Sequence, residues 1–306
     1  MLNEVTADYN EFEHRRLQGC LESAVLALCQ FPRLKALSLD FWPTWQSQSS
    51  MIFQEHSSQF STRQLKLLDA IYGTNPPSTL ASLTVANLCL LYRRPNNSPN
   101  SRPSFKSRLT KLTISVLSTE EHRKVAGKED SPIIHGPGDY IPTSYSPLQS
   151  FTLRSPQGLF HSHDLCPHGL YYPRLTILSL HNIVLGRPSS AGSMISFISC
   201  HKNTLQTLEI VSCPIIVGEA NGAQGFWSHI WNRFAEELTE LINFIVVTGP
   251  REETILNLGY MTIVENKELE TYLLSPPRVD SDRLALKGFQ DTVEARRNRV
   301  GWSGTL

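Results

Sequence analysis

An α/β fold, built as an irregular leucine-rich-repeat solenoid, is predicted by three observations in this sequence. A Leu-x-x-Leu-x-Leu pattern returns along the chain, two of its copies share the same lead-in, and helix-period segments lie between copies. A unit of this kind cannot bury its apolar face alone, so neighbours must stack on it. The predicted arrangement is a curved parallel sheet on the concave side, with helices and loops on the convex side. Arrays of this type mostly hold partners over an extended surface.

The copies run in order. The first is Leu34, Leu37 and Leu39, followed by Leu80, Leu83 and Val85, then Leu109, Leu112 and Ile114. Next come Leu148, Phe151 and Leu153, then Leu175, Leu178 and Leu180, then Leu205, Leu208 and Ile210. A weaker seventh copy is Leu241, Phe244 and Val246. Phe31-Pro32-Arg33-Leu34 and Tyr172-Pro173-Arg174-Leu175 are matching lead-ins. Proline ends a preceding helix because it lacks an N–H, and it pushes the residue before it out of the helical region.

Between the strands the period changes to that of a helix. Leu17, Leu21, Val25 and Leu28 fall on one helical face before Pro32. Ser61 and Gln64 have the spacing of a capping box, with Leu65, Leu68 and Tyr72 behind them and Gly73 as the stop. Ser193 caps a short helix carrying Met194, Phe197 and Ile198. Phe226, Trp227, Ile230, Trp231 and Phe234 make a strongly apolar face, and the helical spacing of the tryptophans points to core. After Pro276-Pro277 a last helix is expected, capped by Ser281 or Asp282, with Leu286, Phe289 and Val293 inward. Arg296, Arg297 and Arg299 close it, where the negative end of a helix favours cations.

The intervals between copies are uneven, and several exceed the ~20–29 residues of a regular repeat. Residues 93–104 are rich in Pro, Asn and Ser, and 118–147 are charged and then rich in Pro and Gly, so both read as loop insertions. The expected organisation is an array over 1–275 and a C-terminal capping helix over 276–306.

Composition limits the function. The chain has 306 residues, 40% of them hydrophobic, with 28 basic and 28 acidic side chains. A neutral chain offers no field to gather nucleic acid or anionic membrane, so neither is an expected partner. No run of about 18 apolar residues appears, and the first residues lack the apolar core of a signal peptide. The six cysteines show no Cys-x-x-Cys pair, so reduced and mostly buried thiols are expected, in the cytoplasm, the nucleus or both.

The middle and end of the chain resemble the fungal F-box proteins with irregular leucine-rich repeats. The segment from Leu159 to Gly186 is similar to their stretch leading into a Phe-Pro-x-Leu-x-x-Leu-x-Leu strand. Thr204, Leu205, Leu208, Ile210, Cys213, Pro214 and Ile215 match their Thr-Leu-x-x-Leu-x-Leu-x-x-Cys-Pro-Ile unit, and the segment from Asp282 to Arg297 is similar to their closing helix. The resemblance spans about Leu148 to Arg297 and, more loosely, begins at Leu17. It implies substrate recognition for a cullin-RING ubiquitin ligase, with an F-box holding the adaptor. No Leu-Pro-x-Glu-Ile-Leu-like F-box helix stands between Met1 and Gln30, so the chain itself is expected not to bind the adaptor.

Chemistry is not expected. His161, His163, Asp164, Cys166 and His168 are of zinc-ligating types, but they lack a second ligand pair, so no metal is predicted. No Gly-x-Ser-x-Gly elbow or phosphate loop is present. No cofactor follows, and the chain reads as a non-enzyme. What remains is surface. Strand alternation sends the residues between the leucines to the concave face. These are Ser38, Thr84, Thr113, Thr152, Ser179 and Glu209, flanked by Asp40, Arg154 and His181. With Trp42 and Trp45 in the loop after the first strand, the candidate partner-binding residues are Asp40, Trp42, Trp45, Arg154, His181 and Glu209.

Overall fold

In the computed structural model the described residues are 16, 19–21, 23–41, 64, 66–68, 70–71, 77–88, 108–116, 141, 145–156, 160–161, 170–186, 193–217, 226–247, 259–263, 270–272 and 279–301. Seven strands form a parallel sheet. They are β1 (Ala36–Asp40), β2 (Ser82–Leu88), β3 (Lys111–Val116), β4 (Ser150–Arg154), β6 (Ile177–His181), β8 (Thr207–Val211) and β10 (Asn243–Val247). They lie side by side in chain order, from β1 at one end to β10 at the other. All seven copies of the leucine pattern therefore fall on adjacent strands, the weaker seventh included.

The register repeats with the motif. The middle apolar residue of every copy lies in one row: Leu37, Leu83, Leu112, Phe151, Leu178, Leu208 and Phe244. The third residue of each copy makes a parallel row from Leu39 to Val246. The chain enters each strand in the same way. The carbonyl after the first leucine accepts two amides from the next copy: Lys35 from Ala81 and Ser82, Ala81 from Thr110 and Lys111, and so on to Gln206, from Ile242 and Asn243. These bonds satisfy backbone groups that would otherwise be buried and unpaired.

Left-handed backbone occurs at Asn87 (φ 59°), at a register shift within β2, and past β6 and β8 at Asn182 and Ser212 (φ 56 and 51°). Asparagine tolerates that region because its short amide bonds locally. The Asn182 amide Nδ2 donates to Ser155 O at 2.8 Å. The turn directs the chain into short outer strands. Here β5 (Phe160–His161) pairs with β7 (Ile183–Val184), and β9 (Ile215–Val217) pairs with β11 (Tyr260–Ile263), which also meets β12 (Glu270–Tyr272). Cys213 sits at this corner. Its thiol lies 3.3 Å from Leu180 O and 3.2 Å from Val211 O, and accepts from the Ile183 N–H. Full burial pushes that thiol up to about 12.

The helices cover the apolar rows. Ser193 caps α1 (Met194–Cys200) by accepting from the Ser196 N–H, as its position suggested. Phe197 of this helix meets Phe151 edge to face, with ring centroids 6.4 Å apart. At its end the buried His201 is locked by two bonds. Nε2 accepts from the Tyr172 N–H at 2.9 Å, which leaves the proton on Nδ1, 2.7 Å from Phe197 O. Trp227 and Trp231 of α2 (Trp227–Glu237) are fully buried and stacked at 4.5 Å.

The last helix, α3 (Val279–Arg299), packs Phe289 between Trp231 and Phe244. Of the two candidate caps for this helix, Ser281 and Asp282, Asp282 caps α2 instead. Its Oδ1 accepts from the Ser228 N–H at 2.8 Å, and its Oδ2 accepts from the Tyr260 hydroxyl, which itself accepts from the Trp227 N–H. At the other end of α2, Arg296 donates to the carbonyls of Ala235 and Leu238. A carboxylate at the N-terminus and a guanidinium at the C-terminus both suit the dipole of α2. The two contacts make α3 run in the same direction as α2.

Other expectations need correction. Leu21 is 50% exposed, whereas Val25 is buried and Leu28 half-buried, and residues Ala27–Gln30 form a 3-10 turn. Among the described residues β1 ends the sheet, beside this first helical segment. Gln64 Nε2 donates to Asn87 O at 2.9 Å, across to β2, while Ser61, the other half of the expected capping box, lies outside the described residues. The 118–147 insertion reaches the core before it ends, because Ile141 is buried in it. Among the four described cysteines only Cys213 is buried, while Cys20, Cys29 and Cys200 are exposed. Residues 93–104 and most of 118–147 lie outside the described residues.

Candidate interaction face

Because the leucine rows point into the core, alternation puts the intervening residues on the opposite face of the sheet. One row there is Ser38, Thr84, Thr113, Thr152, Ser179, Glu209 and Ile245. The row above it contains Asp40, Ala86, Arg154, His181, Val211 and Val247. Side chains in one row stand about 4.8 Å apart, the spacing of neighbouring strands. The face therefore carries hydroxyls from β1 to β6, Glu209 on β8, and Val211, Ile245 and Val247 at its β8 and β10 end.

Three of the expected site residues come together. Arg154 and His181 are register partners on β4 and β6, and Glu209 follows on β8 beside Ser179. His181 Nε2 lies 3.3 Å from Glu209 Oε2, and both side chains are about one-third exposed. A contact this exposed contributes about 0–1 kcal/mol, so it orients the two side chains more than it holds the fold. Arg154 is exposed, with no carboxylate against it among the described residues. Asp40 stands on β1, about 14 Å away by strand spacing. It accepts from Asn87 Nδ2 at 2.9 Å, which ties it to β2. Trp42 and Trp45 lie outside the described residues, so the cluster is Arg154, His181 and Glu209.

Sequence reasoning missed the apolar end of this face. Val247 is 48% exposed, with Val211 beside it on β8 and Ile245 below it on β10 both half-buried, and Ile177 on β6 is 41% exposed. The signal was present in the alternation itself, which places Val211, Ile245 and Val247 outward. Val211, Ile245 and Val247 thus stand as a partly exposed apolar group on the same face as Arg154 and the His181–Glu209 contact.

The His/Cys run from His163 to His168 lies outside the described residues. Among the described residues no group of three or more His, Cys, Asp or Glu side chains is placed to hold a metal ion. No described helix is long and apolar enough to cross a membrane. No family model, curated protein or solved structure matches this chain.

Proposed function

We propose that the chain is a non-catalytic protein-interaction module, an irregular leucine-rich-repeat solenoid that recognises its partner over the open sheet face. In cells it serves as the substrate-recognition part of an F-box-type ubiquitin-ligase receptor, in the cytoplasm, the nucleus or both. The adaptor joins only through an F-box supplied outside this chain.

One observation carries the reading. Seven in-register strands hold outward side chains in which hydroxyls, an exposed arginine, the His181–Glu209 contact and exposed valine and isoleucine share one face. Nothing in the packing of the core requires those side chains. The F-box resemblance of the Thr204–Ile215 unit and the closing helix supports the ligase assignment. A near-neutral face suits a protein better than nucleic acid, which calls for a basic stripe.

The test is proximity labelling with the tagged chain and with an Arg154→Ala/His181→Ala/Glu209→Ala variant. The variant should keep its melting temperature nearly unchanged, since surface substitutions usually cost within about 0.5 kcal/mol each. It should lose partners that the wild type labels, and those partners should accumulate when cullin-RING ligases are inhibited. Partners lost by the variant but stable under that inhibition would make the chain a scaffold with no ligase link. Undiminished capture would move the binding site off this face.

A further inference from the structure

A groove runs along the outer edge of β10, away from the open face. β10 ends the sheet, and among the described residues nothing pairs with its far side. Its inner side is identified by two bonds to β8: the Asn243 N–H donates to Gln206 O, and the Ser212 N–H donates to Val247 O. In a parallel strand the N–H and C=O of one residue point the same way, and those of the next point the other way. The backbone groups of Phe244 and Val246 therefore face outward, into the groove.

The opposite wall is α3. This helix packs on α2 where the helix of a further repeat would lie, through Phe289 against Trp231 and Phe244. The strand that would accompany such a helix is absent among the described residues, and the groove is that place. It has a volume of roughly 570 Å³. Its floor carries Ile242, Phe244, Leu286 and Val293, and its rim carries the charged side chains of α3. On that rim Glu294 is engaged by Arg297 at 3.7 Å. Arg283 and Lys287, one turn apart and both exposed, make the first half of the rim cationic, with Asp291 beyond them.

We propose that this groove is a strand-addition site for an extended acidic peptide segment of a partner protein. The segment would lie as an eighth strand between β10 and α3. Its backbone would pair with the outward N–H and C=O groups of Phe244 and Val246. Alternate apolar side chains would seat on Phe244, Leu286 and Val293, and carboxylates between them would reach Arg283 and Lys287. Main-chain pairing supplies affinity in such sites, and the flanking side chains supply selection. The proposal does not rest on the open-face reading, because none of these residues belongs to that face.

The test uses the full chain and three fluorescein-labelled octapeptides: alternating Glu-Val, alternating Lys-Val, and Glu-Val with its valine amides N-methylated. Fluorescence polarisation should show saturable binding of the Glu-Val peptide alone. N-methylation removes backbone donors and should weaken binding at least tenfold. Arg283→Glu/Lys287→Glu, at two exposed positions, should weaken it tenfold or more with an unchanged circular dichroism spectrum. Hydrogen exchange should show the Phe244 and Val246 amides slowed only when the peptide is bound. The proposal is overturned if no peptide binds, or if the Lys-Val or N-methylated peptide binds as well as Glu-Val. It is also overturned if charge reversal leaves affinity unchanged. Amides already protected in the free monomer would mean that a segment of this same chain fills the groove. Protection that depends on protein concentration would mean that a second copy does.

Discussion

Replacing Asp282 with alanine should detach the last helix from the end of the sheet. Asp282 is 3% exposed and accepts from the Ser228 amide and the Tyr260 hydroxyl. A hydrogen bond to a charged group contributes about 1.5–3 kcal/mol, and a buried donor left unpaired costs about 1–3 kcal/mol. Loss of a helix N-cap costs about 1 kcal/mol by itself. These figures overlap, because the bond at Ser228 is also the cap of α2. The expected loss for Asp282→Ala is therefore about 3–4 kcal/mol. Asp282→Asn keeps one acceptor and should lose about half of that. Tyr260→Phe removes the hydroxyl that joins Trp227 to Asp282 and should cost about 1–2 kcal/mol. It should add less than its full value in the double mutant, since the two side chains share a bond. Urea unfolding at neutral pH measures the totals. Native-state hydrogen exchange then locates them: amides of α2, α3 and β10 should open, while those of β2 to β4 stay protected. A loss under about 0.5 kcal/mol for Asp282→Ala, the range of ordinary surface changes, would refute the capping argument.

Other measurements bear on the core. Burial lowers the pKa of His201 below its ordinary 6.5, against a smaller opposing effect of the bond to Phe197, so the folded state holds the ring neutral. The unfolded chain takes up this proton first. Stability from this site is thus complete above pH 6.5 and is lost as pH falls from there towards the lowered value. Urea midpoints should fall between pH 7.5 and 5.5, and His201→Gln should flatten that dependence. Leu208, fully buried in the middle row, should not tolerate Leu208→Asp. Its burial is worth about 1.5–3 kcal/mol and an unpaired charge adds more, so circular dichroism should show the C-terminal strands unfolded. Cys213 should resist thiol reagents in the native protein at pH 8 and react once unfolded, while Cys20, Cys29 and Cys200 react at once, as read by mass spectrometry.

The sequence by itself determined the sheet. Each leucine triplet encodes a local alternation of two residues in and one out, and equal alternation in successive copies leaves one register that buries every triplet. That is why Leu178 could be assigned beside Leu208, and why Thr152 and Ser179 could be assigned outward. Ser193 was legible for the same reason, because a cap bonds within three residues of itself. Only the tertiary structure decided matters that depend on distant partners. Asp282 has the look of a cap for its own helix, but it binds an amide 54 residues away. Arg296 sits in the last turn of α3 and serves the last turn of α2. Leu21 fits a helical face yet is half exposed, beside the strand that ends the sheet among the described residues. The contact of His181 with Glu209 and the groove between β10 and α3 are likewise properties of stacking. A residue's own spacing specifies which way it points, and the layer that packs against it determines what it meets.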